Sequence, residues 1–330
     1  MKKNILIRSV GGGLPEKRVS NDDISKLVDT SDEWIHTRTG IRSRRIAGAH
    51  EATSDLATQA ARMAIERAGW TPESVDLIVL ATMSPDYFGV PATACIVQHN
   101  IGAVNAAAFD ITAACSGFIY GLTLVNSMLM TGPWKRAVVI GAEILTRFVD
   151  WTDRNTCVLF GDGAGAVTLE AVPAGPDNRG LLDFYIGSDS SGYEAIMVRN
   201  GGSRHPLQEG QPGKPLVLEM MGKKVYSFAV DILPRVVRQL MEQAHITADD
   251  ITYIVPHQAN ARIIHTAAEK LGMDISKFFM NVDEYANTSA ASIPLALYDM
   301  DQRGLLKPGD LIIGVGFGAG LTYGGVLVRW

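Results

Sequence analysis

The feature that most constrains the fold of this chain is an internal duplication. Glu66–Leu80 and Glu242–Pro256 each read as the end of an amphipathic helix, a polar turn and a buried strand. Phe109–Cys115 leads into one apolar helix, and Asn281–Asn287 leads into another. Ala137–Gly141 and Leu311–Gly314 form a third pair, both buried strands. Three pairs in the same order, at nearly one separation, imply two similar halves. Strands alternate with helices, which predicts α/β layers, each half building a sheet flanked by helices. The loop-like run Pro173–Gly180 divides the chain into halves 1–175 and 176–330. A chain of 330 residues is long enough to give each half its own core.

Composition removes several classes of function. A net charge of -5 lacks the basic surplus of a typical nucleic-acid binder, although a local basic patch can still meet an acidic protein or a phosphate. Cys95, Cys115 and Cys157 are odd in number and widely spaced, so neither a disulfide framework nor a zinc site is signalled. A reducing cytoplasm is the expected setting. Met1–Arg8 has a positive start without a sustained apolar run, so no signal peptide is expected. No stretch is read as a membrane span.

Cys115 follows a short strand, Phe109–Thr112, and precedes a helix marked by the stripe Phe118, Leu122, Val125 and Leu129. A helix N-terminus favours a thiolate, which is what a nucleophilic cysteine needs. The bland reading is a small buried hydrophobe, and Cys95 and Cys157 keep it. His257 follows the strand Ile251–Val255 through Pro256, at a strand end where α/β folds place ligands. Asn287 aligns with the cysteine position of the first half. Taken singly, His257 reads as a hydrogen-bonded core residue and Asn287-Thr288-Ser289 as a helix cap. The duplication brings Cys115, His257 and Asn287 to one cleft.

Gly314–Gly320 has glycine spacings like a dinucleotide fingerprint, but a strand follows it where that motif needs a helix. It and Gly161–Gly165 read as tight loops that bring bare backbone close to something. A backbone N–H near Ala319 is placed to stabilise an oxyanion. Ser188–Pro215, rich in Gly, Ser, Pro and Arg, reads as a functional loop or substrate cover.

Five motifs together resemble the β-ketoacyl-[acyl-carrier-protein] synthase III family of the thiolase superfamily. They are Ser31–Ile41, Asp110–Phe118, Val255–Asn260, Ala286–Ala291 and Phe317–Gly320, in that family's order across essentially the whole chain. The resemblance implies a thiolase-like five-layered αβαβα fold, a homodimer and a Cys115–His257–Asn287 triad. It implies Cys115 and Ala319 as oxyanion donors, and Trp34 and Arg154 around the adenine of coenzyme A, with Arg38, Gly222 and Asn260 nearby. Arg262 is implied to meet an acidic carrier protein. The implied substrates are an acyl-coenzyme A, attacked by Cys115, and a malonyl-acyl carrier protein, whose enolate His257 and Asn287 would stabilise. No metal or redox cofactor is expected. Val90 precedes Pro91 where many short-chain relatives carry a bulky aromatic in the acyl pocket, so acyl groups longer or more branched than acetyl are expected.

Two other readings compete. Papain-like peptidases also have a Cys…His…Asn order, but their cysteine has a C-G-S-C-W type surround, not Ala-Ala-Cys-Ser-Gly. A specialised condensing enzyme or acyltransferase, of quinolone, polyketide or long-chain ketone type, would share the triad and differ in the pocket.

Overall fold

The computed structural model describes residues 3–175, 178–207 and 216–330. In the first half, β1 (Lys3–Gly13), β2 (Leu77–Ala81), β3 (Ala107–Ile111), β4 (Arg136–Ile144) and β5 (Asp162–Pro173) form a sheet in the order β1-β5-β4-β2-β3. Its helices include α1 (Asp32–Thr39), α2 (Thr53–Arg67), α3 (Thr93–Ile101) and α4 (Gly117–Thr131). In the second half, β6 (Gly180–Ser188), β7 (Tyr253–Pro256), β8 (Leu311–Gly318) and β9 (Thr322–Arg329) pair in the order β6-β9-β8-β7. A lone parallel bridge from Ile254 to Phe278 extends that sheet beyond β7. The second half's long helices are α5 (Gly222–Ala244), α6 (Ala261–Leu271) and α7 (Ser292–Gln302).

The two sheets repeat one plan. Two antiparallel pairings lead from β1 through β5 to β4, and from β6 through β9 to β8. Parallel neighbours follow: β2 and β3 in the first sheet, β7 and the Phe278 bridge in the second. Helices α2 and α3 cover the outside of the first sheet, and α5 and α6 the outside of the second. Between the sheets lie α4 and α7, completing five layers, αβαβα. Phe118, Leu122 and Val125 of α4 meet Ile293 and Leu297 of α7 in this central layer. Each such side chain contributes about 1.5–3 kcal/mol when fully buried.

The structure corrects three expectations. Ala114–Thr131 is, by length and composition, apolar enough to cross a membrane. Here that apolarity serves burial, because α4 is contacted by both sheets. The glycines expected in loops lie in strands: Gly314, Gly316 and Gly318 in β8, Gly163 and Gly165 in β5. The close backbone approach does occur, since a Cβ on Gly165 would lie 2.6 Å from Leu295 N.

The third correction concerns register. Two short turns, Ala114–Ser116 and Ser289–Ala291, precede α4 and α7. Each opens on a residue in the left-handed region, Ala114 at φ 46° and Ser289 at φ 48°. A Cβ on Gly141 of β4 would lie 2.1 Å from Ala290 O, and one on Gly316 of β8 would lie 2.9 Å from Ser116 Cα. The structural counterpart of Cys115 is therefore Ala290, not Asn287. Side-chain polarity misaligned the two segments, whereas the turn conformation and the helix starts set the true register.

Candidate active site

Strand β3 ends four positions before Cys115, and β7 ends immediately before His257. Both side chains thus sit beyond the carboxyl ends of parallel strands. Cys115, His257, Asn287 and Ala319 all line one largely apolar cavity of about 680 Å³, a size suited to a small-molecule site.

His257 is 1 % exposed and anchored by its backbone N–H, which donates to Val315 O at 2.7 Å. Its ring meets Phe317 edge-on at 5.3 Å, and its Nδ1 is buried without a partner. Burial lowers its pKa to about 3, so the ring is neutral at physiological pH. Asn287 is held through its backbone by Leu159 and Gly161. Its side-chain Oδ1 accepts from Ser289 N at 2.9 Å, which leaves the amide NH₂ as the free donating end.

Cys115 lies in the turn ahead of α4. Burial pushes its thiol up to about 12; the nearby Ser289 hydroxyl lowers it and the Glu143 charge raises it further. Desolvation thus opposes the helix N-terminus that the sequence pointed to. A Cβ on Gly318 would lie 2.9 Å from Cys115 Cβ and 3.1 Å from its Sγ, so a bare strand backbone packs directly on the thiol. The Ser116 and Thr322 hydroxyls meet at 2.6 Å, and Thr322 also donates to Ala319 O at 2.9 Å. This pair ties the cysteine turn to the Ala319 turn.

Around the mouth, the guanidinium carbons of Arg38 and Arg154 stand 4.4 and 4.7 Å from the Trp34 ring centre. Gly222 and Asn260 line the cavity itself. Asn260 also caps α6 by accepting from Arg262 N, and it donates to Arg38 O at 3.0 Å, joining α6 to α1. Arg262 is exposed on α6, 5.8 Å from the ring of Tyr226, which lines the cavity.

Two family models match the chain: 3-oxoacyl-[acyl-carrier-protein (ACP)] synthase III over residues 109–190, and its C-terminal part over residues 241–330. The β-ketoacyl-[acyl-carrier-protein] synthase III of Caldanaerobacter subterraneus subsp. tengcongensis is 47% identical over 98% of this chain and 97% of its own length. The chain belongs to the β-ketoacyl-[acyl-carrier-protein] synthase III family. The synthase III of Clostridium tetani is 46% identical over 99% of both chains. The crystal structure of 3-oxoacyl-[acyl-carrier-protein] synthase III from Aquifex aeolicus VF5 superimposes with a TM-score of 0.91, at 43% identity over 99% of this chain and 100% of that one. The priming β-ketosynthase of the R1128 polyketide pathway superimposes as well, with a TM-score of 0.92 at 34% identity, over 99% of this chain and 96% of that one. As a synthase III the chain is an acyltransferase, a condensing enzyme of fatty-acid biosynthesis with a thiolase-like fold.

Within this synthase III, Val90 lies outside the lining of the chain's own cavity. It is 82% exposed and does not line the cavity, whereas nearby Phe88 does, with its ring edge-on to Phe148 at 6.2 Å. The expected cover segment falls partly outside the described residues, at 208–215. Its described part includes Ile196–Val198, which pairs with Leu218–Met220 as a small ribbon walling the cavity. Sequence reasoning missed Glu143, Ser289 and the Ser116–Thr322 pair. Glu143 alone left a signal, an acid inside the apolar run Ala137–Ile144.

Proposed function

We propose that the chain condenses an acyl-coenzyme A primer with a malonyl-acyl carrier protein through an acyl group on Cys115. The observation that carries this reading is the single cavity shared by Cys115, His257, Asn287 and Ala319. The Cys115 sulfur attacks the thioester carbonyl, and coenzyme A leaves as its thiol. The Cys115 and Ala319 amides steady the oxyanion. Malonyl-carrier protein then enters and loses carbon dioxide. The enolate needs neutral donors, which suits an uncharged His257 and the free NH₂ of Asn287. Its carbon attacks the acyl-cysteine, the β-ketoacyl product departs and the thiol is restored. Every bond is supplied by the two substrates.

Trp34 and Arg154 would hold the adenine, with Arg38, Gly222 and Asn260 along the entry; the stacked guanidiniums of Arg38 and Arg154 support this. Arg262 would meet the acidic carrier as a fixed exposed cation. A homodimer is supported by the edge strand β3 and by Tyr87, Phe88 and Val90, each 58% to 82% exposed beside it. In that assembly Val90 would enter the partner's acyl pocket and leave room for branched or longer primers. The halves 1–175 and 176–330 each bring part of the machinery, the cysteine from one and the histidine and asparagine from the other. Three free cysteines suit the cytoplasm.

The cavity volume and the likeness to a polyketide priming ketosynthase favour one second reading, a specialised synthase taking medium or long acyl groups. Intact-protein mass spectrometry after mixing with a panel of acyl-coenzyme A donors tests both, beside a Cys115→Ser control. One added acyl mass, absent from the control, is expected. Preference for acetyl or short branched donors supports the fatty-acid initiator, and preference for long ones the specialised synthase. A protein that no donor labels would sink both.

A further inference from the structure

Arg44 is 0% exposed, yet it enters none of the ion pairs among the described residues. Burial lowers its pKa to about 10, so it is still a cation at neutral pH. A buried cation without an anion is costly and calls for a reason. Neutral acceptors hold it. Nη1 donates to Asn21 Oδ1 at 2.9 Å and Nη2 to Val158 O at 2.8 Å, while Nε is buried without a partner. The residue sits in a short hairpin, Arg18–Ser20 paired antiparallel with Ser43–Arg45.

The Nη2 arm leads to Asn287. Val158 follows the short helix Arg154–Cys157, and the residues after it hold Asn287 by its backbone. Asn287 N donates to Leu159 O at 2.9 Å, and Gly161 N donates to Asn287 O at 3.0 Å. Arg44 meets this segment at both ends, because a Cβ on Gly161 would lie 3.1 Å from Arg44 Cβ. The same hairpin braces the turn before Asn287: Arg42 N donates to Asp283 O at 2.9 Å, and Ser43 Oγ to Glu284 O at 3.0 Å. Among the described residues the Asn287 side chain is bonded by Ser289 N alone, so the backbone decides where its NH₂ lies. The Nη1 arm leads to α1. Asn21, 1% exposed, donates through Nδ2 to Asp32 Oδ1 at 2.8 Å and to Ile41 O at 2.7 Å. Those two residues stand at the two ends of α1, which carries Trp34 and Arg38.

We infer that Arg44 is a positioning residue for condensation: one arm fixes the backbone that carries Asn287, and the other fixes α1. The inference rests on the proposed roles of Asn287 toward the enolate and of α1 toward coenzyme A. The fork matters here more than the charge. A guanidinium is rigid and planar with donors on separate arms, so it holds two acceptors at once in a fixed geometry. An apolar side chain of similar length would fill the space, but would leave Asn21 Oδ1 and Val158 O without that donor. A shift of residues 158–161 carries the NH₂ of Asn287 with it, and a misplacement of about 1 Å can cost roughly 100-fold in rate. Cys115 lies in the turn ahead of α4 and is bonded by neither arm, so the acyl-transfer chemistry does not depend on the Val158 arm.

The test measures the two half-reactions of the full chain separately. Acyl transfer is followed by intact-protein mass spectrometry with acetyl-, isobutyryl- or octanoyl-coenzyme A, whichever labels wild type best. Condensation is followed as β-ketoacyl product in a single turnover of the isolated acyl-enzyme with malonyl-acyl carrier protein. Arg44→Met is expected to lower the single-turnover rate by at least ~10-fold, while Cys115 still takes one acyl mass at saturating donor. Arg44→Lys keeps the charge without the fork and is expected to lose as much. Asn21→Ala leaves the Val158 arm in place. It should raise the KM for the donor about threefold or more and keep the single-turnover rate within about twofold of wild type. A folded Arg44→Met or Arg44→Lys that condenses within about twofold of wild type overturns the inference. So does a folded variant whose labelling falls as far as its condensation. If neither Arg44 variant folds, Asn21→Ala decides: an unchanged KM, or a single-turnover rate that falls instead, overturns the division between the arms. If wild type takes no acyl group, or Asn287→Ala condenses as wild type does, the reading of the site itself fails and the role of Arg44 falls with it.

Discussion

At the scale of single residues, the proposed reaction divides into two jobs. His257 and Asn287 present neutral groups, so they suit an enolate better than a thiol proton. His257→Ala and Asn287→Ala are accordingly expected to keep acyl labelling of Cys115 while losing condensation by about 100-fold or more, measured as acyl mass against β-ketoacyl product. Gly318 serves by having no side chain. In Gly318→Ala the new Cβ meets Cys115 at 2.9 Å, so labelling should fall and stability drop by about 1–3 kcal/mol in urea unfolding. That Cys115, His257 and Asn287 would share one cleft was legible in the sequence through the duplication and their residue types. The place of Ser289 in the same cavity was not legible, because a serine after Asn-Thr reads as a cap.

At the scale of elements, α4 is the shaft behind Cys115. Its stripe was legible as a helical period, and Leu122 is 1% exposed at the centre of the shared core. Leu122→Ala should cost about 2–5 kcal/mol by chemical denaturation, with acyl labelling kept in the folded fraction. The α6 cap acts at the site's rim. Asn260→Ala removes the cap on Arg262 N and the bond to Arg38 O together. It should cost about 0.5–2 kcal/mol and raise the KM for acyl-coenzyme A more than it lowers kcat, in steady-state kinetics. The glycine-rich strands were misjudged as loops because glycine is a turn signal in a sequence, whereas here it marks strands crossed closely by other backbone.

At the scale of the whole molecule, the two halves interlock through Gly141 and Gly316, each facing the other half's turn. The buried acid there gives folding a pH signature. Glu143 has its folded pKa raised from 4.5 to about 7, so its contribution is fully present below 4.5 and lost as pH rises through 7. His257 runs the other way: its folded pKa is lowered from 6.5 to about 3, so its contribution is present above 6.5 and lost as pH falls through 3. Glu143→Gln removes the first dependence alone. The unfolding temperature of the variant, relative to wild type, should therefore climb between about pH 4.5 and 7 in scanning calorimetry.

What the sequence determined was the plan: two α/β halves, the strands and helices that build them, and the residue types able to form a thioester and hold an enolate. These are written locally, in hydrophobic period and in side-chain chemistry. Tertiary structure alone decided the register between the halves, since φ and backbone clearance at Ala114, Ser289, Gly141 and Gly316 leave no mark in residue type. It also decided the surroundings of the thiol, because the sequence showed the helix start but not the desolvation that opposes it. The meeting of the Gly141 backbone with the Ala290 turn, from opposite halves, exists only once the sheets face each other across α4 and α7.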